Sequence, residues 1–254
     1  MHLRHVRHAT SILTLNHRSI LVDPVLAEAG TLPPIPLTPC KRPNPLTGLK
    51  TPLETLLGAQ AILSTHLHRD HFDQRARELL DRGRTVLCQP GDAPAFRDWG
   101  FRDVRPVEEA LLWEGITVTR VAARHGEGPV GEAMGTASGY VLGAPGEPTV
   151  YLAGDTMDVP GIRAVVETHH PSVRVLNAGA PRFLHSRRIV LDLLDLERTL
   201  RDHPDLPTVL VHLDTWNHCI ETREDYREYF TPQRLRDLGV QSLLIPEDDE
   251  VLRF

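Results

Sequence analysis

Thr65-His66-Leu67-His68-Arg69-Asp70-His71 follows the apolar run Ala61-Ile62-Leu63-Ser64 and precedes a helix-forming stretch, and the reading of the whole chain starts from this strand, loop and helix. Residues i and i+2 of an extended segment point the same way, so His66 and His68 are able to share one metal ion while the turn after them swings Asp70 and His71 toward a second. Imidazoles and a carboxylate at this spacing make a donor set suited to zinc, manganese or iron. The motif alone would leave both ions under-coordinated, so further donors are required at the ends of later strands. His125 follows the run Thr117–Ala122, Asp155 follows Val150-Tyr151-Leu152-Ala153-Gly154, and His212 follows Val209-Leu210-Val211. Layered α/β folds place their ligands beyond strand ends.

Working outward, Ser11–Leu15 and Ser19–Val22 read as a β-hairpin around Asn16-His17-Arg18, closed by Asp23-Pro24. Residues 29–52, rich in Pro, Gly and Thr, predict an ordered surface excursion rather than a linker. After a short helix at Pro52–Leu57 the chain alternates. Strands are expected at Thr85–Leu87, Thr117–Ala122, Gly139–Leu142, Thr149–Leu152, Val173–Leu176, Thr208–Val211 and Ser242–Ile245. Helices are expected at Asp73–Arg82 (ended by Gly83), Val159–Thr168, Leu191–Arg201, Arg223–Tyr229 and Pro232–Leu238. An early meander followed by strand–helix alternation predicts an α/β layered fold with mixed sheets, and residues 1–254 read as one domain.

Composition narrows the function. A net charge of −6 gives no broad basic field for a polyanion, so nucleic acid is a poor partner and a small molecule a better one. Cys40, Cys88 and Cys219 are far apart and form no CxxC pair, which matches neither a disulfide framework nor a thiolate zinc site and suits a reducing cytoplasm. The stretch from Met1 to His8 lacks the apolar run of a signal peptide, and no window approaches a membrane span. Fourteen histidines are many for a residue usually chosen for chemistry or metal binding.

With these residues assembled, the sequence resembles the metallo-β-lactamase-fold hydrolase superfamily, through HxHxDH at His66–His71, the later His125, the Gly154-Asp155 pair and the final His212, with Asp23 at the early acidic position. Asn44-Pro45-Leu46, Tyr151–Thr156, Asn177-Ala178-Gly179-Ala180 and His212-Leu213-Asp214 with Asn217-His218-Cys219 are similar to the branch containing ascorbate-6-phosphate lactonase-like proteins. The resemblance implies an αββα sandwich of two mixed sheets flanked by helices, with two divalent ions at one edge. It assigns His66, His68 and His125 to the first ion, Asp70, His71 and His212 to the second, and Asp155 to both. Zn²⁺ is the expected metal, with Mn²⁺ or Fe²⁺ as alternatives.

The expected chemistry is hydrolysis of a small ester, lactone or phosphoester by a metal-bridging hydroxide, lactone being favoured by the branch resemblance. Asp70 is the expected catalytic residue, orienting that hydroxide or passing a proton to the leaving group. Asp23 is expected behind the ligands, accepting a hydrogen bond from a ligating imidazole, its alternative being a plain strand-ending Asp before Pro24. Asn177, Arg182 and His218 are candidate substrate contacts, Arg182 suiting an anionic substrate. His185 with Arg187 and Arg188 reads as a surface charge cluster, Asp73 as a helix N-cap and Cys219 as a buried thiol. His2, His5, His8, His17, His169, His170 and His203 read as surface or partly buried histidines.

Competing readings are a phosphodiesterase, including phospholipase-D-like cleavage, a diiron oxidoreductase, nucleic-acid processing, and an inactive metal-binding scaffold. The expected partner is a small-molecule substrate, with no nucleic acid and no membrane insertion, and a homo-oligomer is as compatible with the sequence as a monomer.

Overall fold

The computed structural model describes residues 1–254. Strands β1 (His2–Arg7), β2 (Thr10–Leu15) and β3 (Arg18–Val22) form an antiparallel meander. The excursion that follows holds no helix or strand beyond one bridge between Leu32 and Asn44. Then α1 (Leu53–Leu57), β4 (Ala61–Ser64), α2 (Gln74–Leu79), β5 (Thr85–Cys88), α3 (Ala93–Asp98) and β6 (Asp103–Pro106) alternate, and β3 to β6 pair in parallel.

The second half follows the same course. β7 (Ala110–Trp113) and β8 (Ile116–Ala123) are a hairpin, and α4 (Gly128–Met134) leads to β9 (Ala137–Gly143) and β10 (Val150–Leu152). Next come α5 (Val159–His169), β11 (Val173–Asn177), α6 (Leu193–Asp202), β12 (Thr208–Val211), α7 (Arg223–Tyr229), α8 (Pro232–Asp237) and β13 (Leu243–Leu244), before β14 (Val251–Arg253) returns to pair with β1. Each sheet has seven strands, ordered β14-β1-β2-β3-β4-β5-β6 and β7-β8-β9-β10-β11-β12-β13. In both, the first four strands of that order are antiparallel and the last four parallel.

Three apolar clusters define four layers. Leu13, Ile20 and Leu63 of one sheet meet Tyr140, Val175 and Val209 of the other between the sheets. Ile62 and Val86 pack outward on Leu56, Ala76 and Phe96 of the first helical layer, and Tyr151, Leu176 and Leu210 pack on Ile162, Leu196 and Tyr226 of the second. Each fully buried aliphatic side chain contributes about 1.5–3 kcal/mol on leaving water. The mixed α/β layers are those the alternation predicted, and the two-sheet, helix-flanked sandwich is the one the resemblance implied.

Several boundaries differ. α2 starts at Gln74, with Asp73 as its cap accepting from the Ala76 N–H at 2.7 Å, and it ends at Leu79 rather than at Gly83. β1, β6, β7, β14, α3 and α4 are additional to the sequence reading. β1 escaped it because its buried positions include Arg7, whose guanidinium donates to the carbonyls of Thr47, Val25 and Ala27, so a charged residue serves the interior by fastening the excursion.

Candidate metal centre

The segment after β4 stays extended through His66 and His68, then turns: the carbonyl of His68 accepts from the N–H groups of His71 (2.9 Å) and Phe72 (2.8 Å). Phe72 is buried against Phe96 and Phe101 and anchors the turn. His66 Nε2 lies 3.0 Å and His125 Nε2 3.2 Å from His68 Nδ1. Donor nitrogens about 2.0–2.1 Å from one tetrahedral ion stand roughly 3.3 Å apart, so this trio fits a zinc-sized cation.

The second cluster draws on both sheets. Asp70 Oδ2 lies 3.7 Å from His212 Nε2, and Asp155 Oδ1 lies 3.3 Å from His71 Nε2 and 3.6 Å from His212 Nε2. The other oxygen of Asp155 faces His125 Nε2 at 3.5 Å, so its carboxylate spans both clusters. Asp155 reaches this point through Gly154, whose φ is +62° and where a Cβ would stand 2.6 Å from the Ser138 carbonyl. Only glycine fits there.

Hydrogen bonds behind the donors fix their tautomers. Carbonyl oxygens only accept, so the Nδ1–H of His125 donates to Ile189 (2.9 Å) and that of His212 to Ala178 (3.1 Å). Asp23 accepts from His71 Nδ1 at 2.8 Å and from the Thr65 hydroxyl at 2.7 Å. That hydroxyl has given away its proton, so it accepts from His66 Nδ1 at 3.0 Å. One buried carboxylate thus orients two imidazoles, and the Nε2 atoms of His66, His71, His125 and His212 all converge inward.

Electrostatics agree with a cation at this point. Burial, and then His71, holds His66 well below the usual imidazole range; burial also lowers His68 and His125. These three are neutral donors. Burial opposes charge on His71, but Asp155 and Asp23 outweigh it and push that imidazole up to about 10. Burial would raise Asp70, yet His212, His218 and His8 hold it well below the carboxylate range, and Asp155 is lowered likewise by His212 and His71. His71 Nε2 and His212 Nε2 are buried without a hydrogen-bond partner. Converging ring nitrogens without partners, beside buried carboxylates, suit divalent metal ions that would replace the ring protons, and the residues fit them.

A cavity of ≈ 150 Å³ opens on His68, Asp70 and His125, walled by Ile35, Met134, Phe183 and Ile189. His218 lines it and places Nε2 3.3 Å from Asp70 Oδ2. The other two candidate contacts lie elsewhere. Asn177 donates to Asp155 Oδ1 at 2.7 Å and so positions that carboxylate, while Arg182 is exposed outside the lining and Arg69 is the cation that borders the cavity. Asn217 stitches the excursion to the His218 segment: its side chain accepts from Ile35 N (2.9 Å) and Asn44 Nδ2 (2.8 Å) and donates to Thr38 Oγ1 (2.6 Å) and the Cys40 carbonyl (2.6 Å).

Three further residues went unread in the sequence or were read otherwise. Thr65 was passed over because a hydroxyl beside a histidine motif carries no signal of its own. His5 and His8 are fully buried rather than surface or partly buried, and His8 Nε2 faces Asp70 Oδ2 at 3.5 Å. His8 does follow a strand, the same placement that marked His125 and His212, but β1 itself was not recognised. His185 and Arg187 are exposed, and Arg188 is engaged by Asp192 and Asp195.

Known proteins are similar to this chain in sequence and fold. The family described as "Beta-lactamase superfamily domain" matches residues 18–213. The UPF0173 protein YddR of Bacillus subtilis (strain 168) is 30% identical over 259 residues, covering 100% of both chains. Among solved structures, a possible metal-dependent hydrolase from Veillonella parvula DSM 2008 superposes with a TM-score of 0.93 at 29% identity, covering 99% of this chain and 98% of that one. An isothiocyanate hydrolase from Delia radicum gut bacteria superposes with a TM-score of 0.92 at 30% identity, covering 100% and 99%. This chain belongs to the β-lactamase superfamily domain family and is a metal-dependent hydrolase of the metallo-β-lactamase fold.

Proposed function

We propose that this hydrolase uses two divalent ions, Zn²⁺ first among the candidates, to add water to the electrophilic carbon of a small and largely apolar substrate, with isothiocyanates as the leading class. The observation that carries the reading is the cavity: its walls are Ile35, Met134, Phe183 and Ile189, and its floor is His68, Asp70 and His125. The isothiocyanate hydrolase similar along the whole chain supports the choice of class. Two divalent cations would also offset the charge of Asp23, Asp70 and Asp155, all buried within this one cluster.

Ions bound there supply Lewis acidity, which lowers the pKa of water toward neutrality and polarises the substrate. The chain's residues do the rest. Apolar walls exclude bulk water and hold the substrate's carbon skeleton against the floor. Asp70, bordering the cavity beside His218, takes the proton of the attacking water and returns it to the departing nitrogen or oxygen. For an isothiocyanate, one water yields the amine and carbonyl sulfide, so atoms balance without a redox partner.

A second reading is a lactone or phosphoester carrying an anionic group, favoured by Arg69 at the cavity. Its weakness is that Arg182 stands outside the lining, which leaves Arg69 as the one arginine there to meet a phosphate. The partner in either case is a small molecule, and the free thiols of Cys40, Cys88 and Cys219 are in keeping with a cytoplasmic location.

The test is a substrate panel with the metal-loaded protein: benzyl isothiocyanate, an acyl homoserine lactone, a sugar-phosphate lactone and bis(p-nitrophenyl) phosphate. Isothiocyanate turnover with the highest kcat/KM is expected. Phosphodiester turnover without isothiocyanate or lactone cleavage overturns the reading.

A further inference from the structure

We infer that His8 is a ligand of the second metal ion, completing from the first sheet the set formed by Asp70, His71 and His212. The inference builds on the two-ion reading above and adds an eighth residue to it.

Burial and orientation come first. His8 is fully buried, and neither Nδ1 nor Nε2 has a hydrogen-bond partner. An unpaired polar nitrogen in an interior is costly unless something meets it, and Nε2 is the ring nitrogen that faces the cluster. Nε2 faces the same Asp70 oxygen as His212 Nε2, at 3.5 Å against 3.7 Å. The donor atoms of His8, Asp70, His71 and His212 all lie within 4.8 Å of one another.

The backbone supplies a second, independent observation. His8 and His212 both sit in the left-handed region, at φ 53° and 71°, where the chain turns sharply as it leaves its strand. The two are joined by a hydrogen bond from His212 N to the His8 carbonyl at 2.9 Å, and their rings pack at a 36° tilt with centroids 3.7 Å apart. Each leaves a strand of a different sheet, and each bends so that its ring enters the centre.

Topology supplies a third. β1 and β8 occupy the same place in the two matching strand orders, as do β3 and β10. The residue just past β3 is Asp23, and Asp155 lies just past β10. His8 just past β1 therefore corresponds to His125 just past β8, which faces the first cluster.

Two variants separate ligation from packing. His8→Phe keeps an aromatic ring packed on His212 without a donor; His8→Asn suits the positive φ and is too short to reach the ion. Apoprotein made with chelator is titrated with Zn²⁺ against a chromophoric competitor, with folding followed by circular dichroism. The wild type is expected to take up two equivalents. Both folded variants should keep one tight equivalent and hold the other more than about 100-fold more weakly, a loss larger than the roughly 10–100-fold typical of residues one step behind a metal. Two equivalents at wild-type affinity in either variant overturn the assignment of His8 alone. A wild type that binds a single equivalent overturns it together with the two-ion reading, and the substrate panel then still reports on the hydrolase.

Discussion

β1–β6 and β8–β13 run the same course, yet the first half delivers four donors within six residues after β4, whereas the second spreads His125, Asp155 and His212 over the ends of β8, β10 and β12. The dense segment takes its geometry from its own turn at His68–Phe72 and from Asp23 and Thr65 beside it. The dispersed donors depend on how the sheets are mated: His212 is tied to His8 of the other sheet, and Ser138 N reaches the Thr65 carbonyl at 3.2 Å. The centre is therefore local on one side and assembled on the other, and only folding brings the two together.

Asp155 is where that contrast breaks, because its carboxylate is shared. Asp155→Ala is expected to lower kcat/KM by several orders of magnitude and to reduce both metal equivalents, as read by turnover and metal analysis; wild-type turnover would remove the residue from the centre. Asp23→Asn sharpens the local side. It should weaken metal binding about 10–100-fold while the overall fold holds, measured by chelator competition, because His66 and His71 lose the acceptor that sets their tautomers.

Metal removal compares the halves through stability. At free ion 100-fold above Kd, each ion adds about 2.7 kcal/mol to the folded state, so chelation should lower Tm in the wild type and leave Asp155→Ala almost unmoved. A wild-type Tm indifferent to chelator would mean that the sheets are held together without the ions.

The smallest effect lies away from the centre. Burial, and then Arg223, lowers His5 from the ordinary 6.5 to about 3, although Asp248 stands 3.7 Å from its Nε2. Above pH 6.5 the ring is neutral folded or unfolded. Between pH 6.5 and 3 the unfolded chain binds a proton that the folded chain refuses, so stability falls on acidification by up to about 1.4 kcal/mol per pH unit. Denaturant unfolding at pH 7 and 5 should show a shallower drop in His5→Gln.

The same contrast explains what the sequence disclosed. His66–His71 could be read at once because a strand and a turn fix its directions, and the later donors followed from the demand for more ligands after apolar runs. β1 stayed hidden because His5 and Arg7 occupy buried positions that a hydrophobic pattern assigns to apolar residues, and with it went His8. Arg182 and Asn177 were grouped as substrate contacts from their loop; which of two neighbouring side chains enters a cavity depends on packing that spacing does not encode. Arg69 was passed over for the same reason, sitting among ligands yet facing outward to the cavity.

The Asn217 stitch carries a further consequence. Ile35 walls the cavity on one side and His218 on another, and this single amide clamps their two segments to each other. Displacing either segment from that side would disturb the imidazole that touches Asp70, whereas Met134 enters the lining from α4, outside this stitch. The shape of the chamber on that flank and the setting of the Asp70 carboxylate are thereby mechanically coupled.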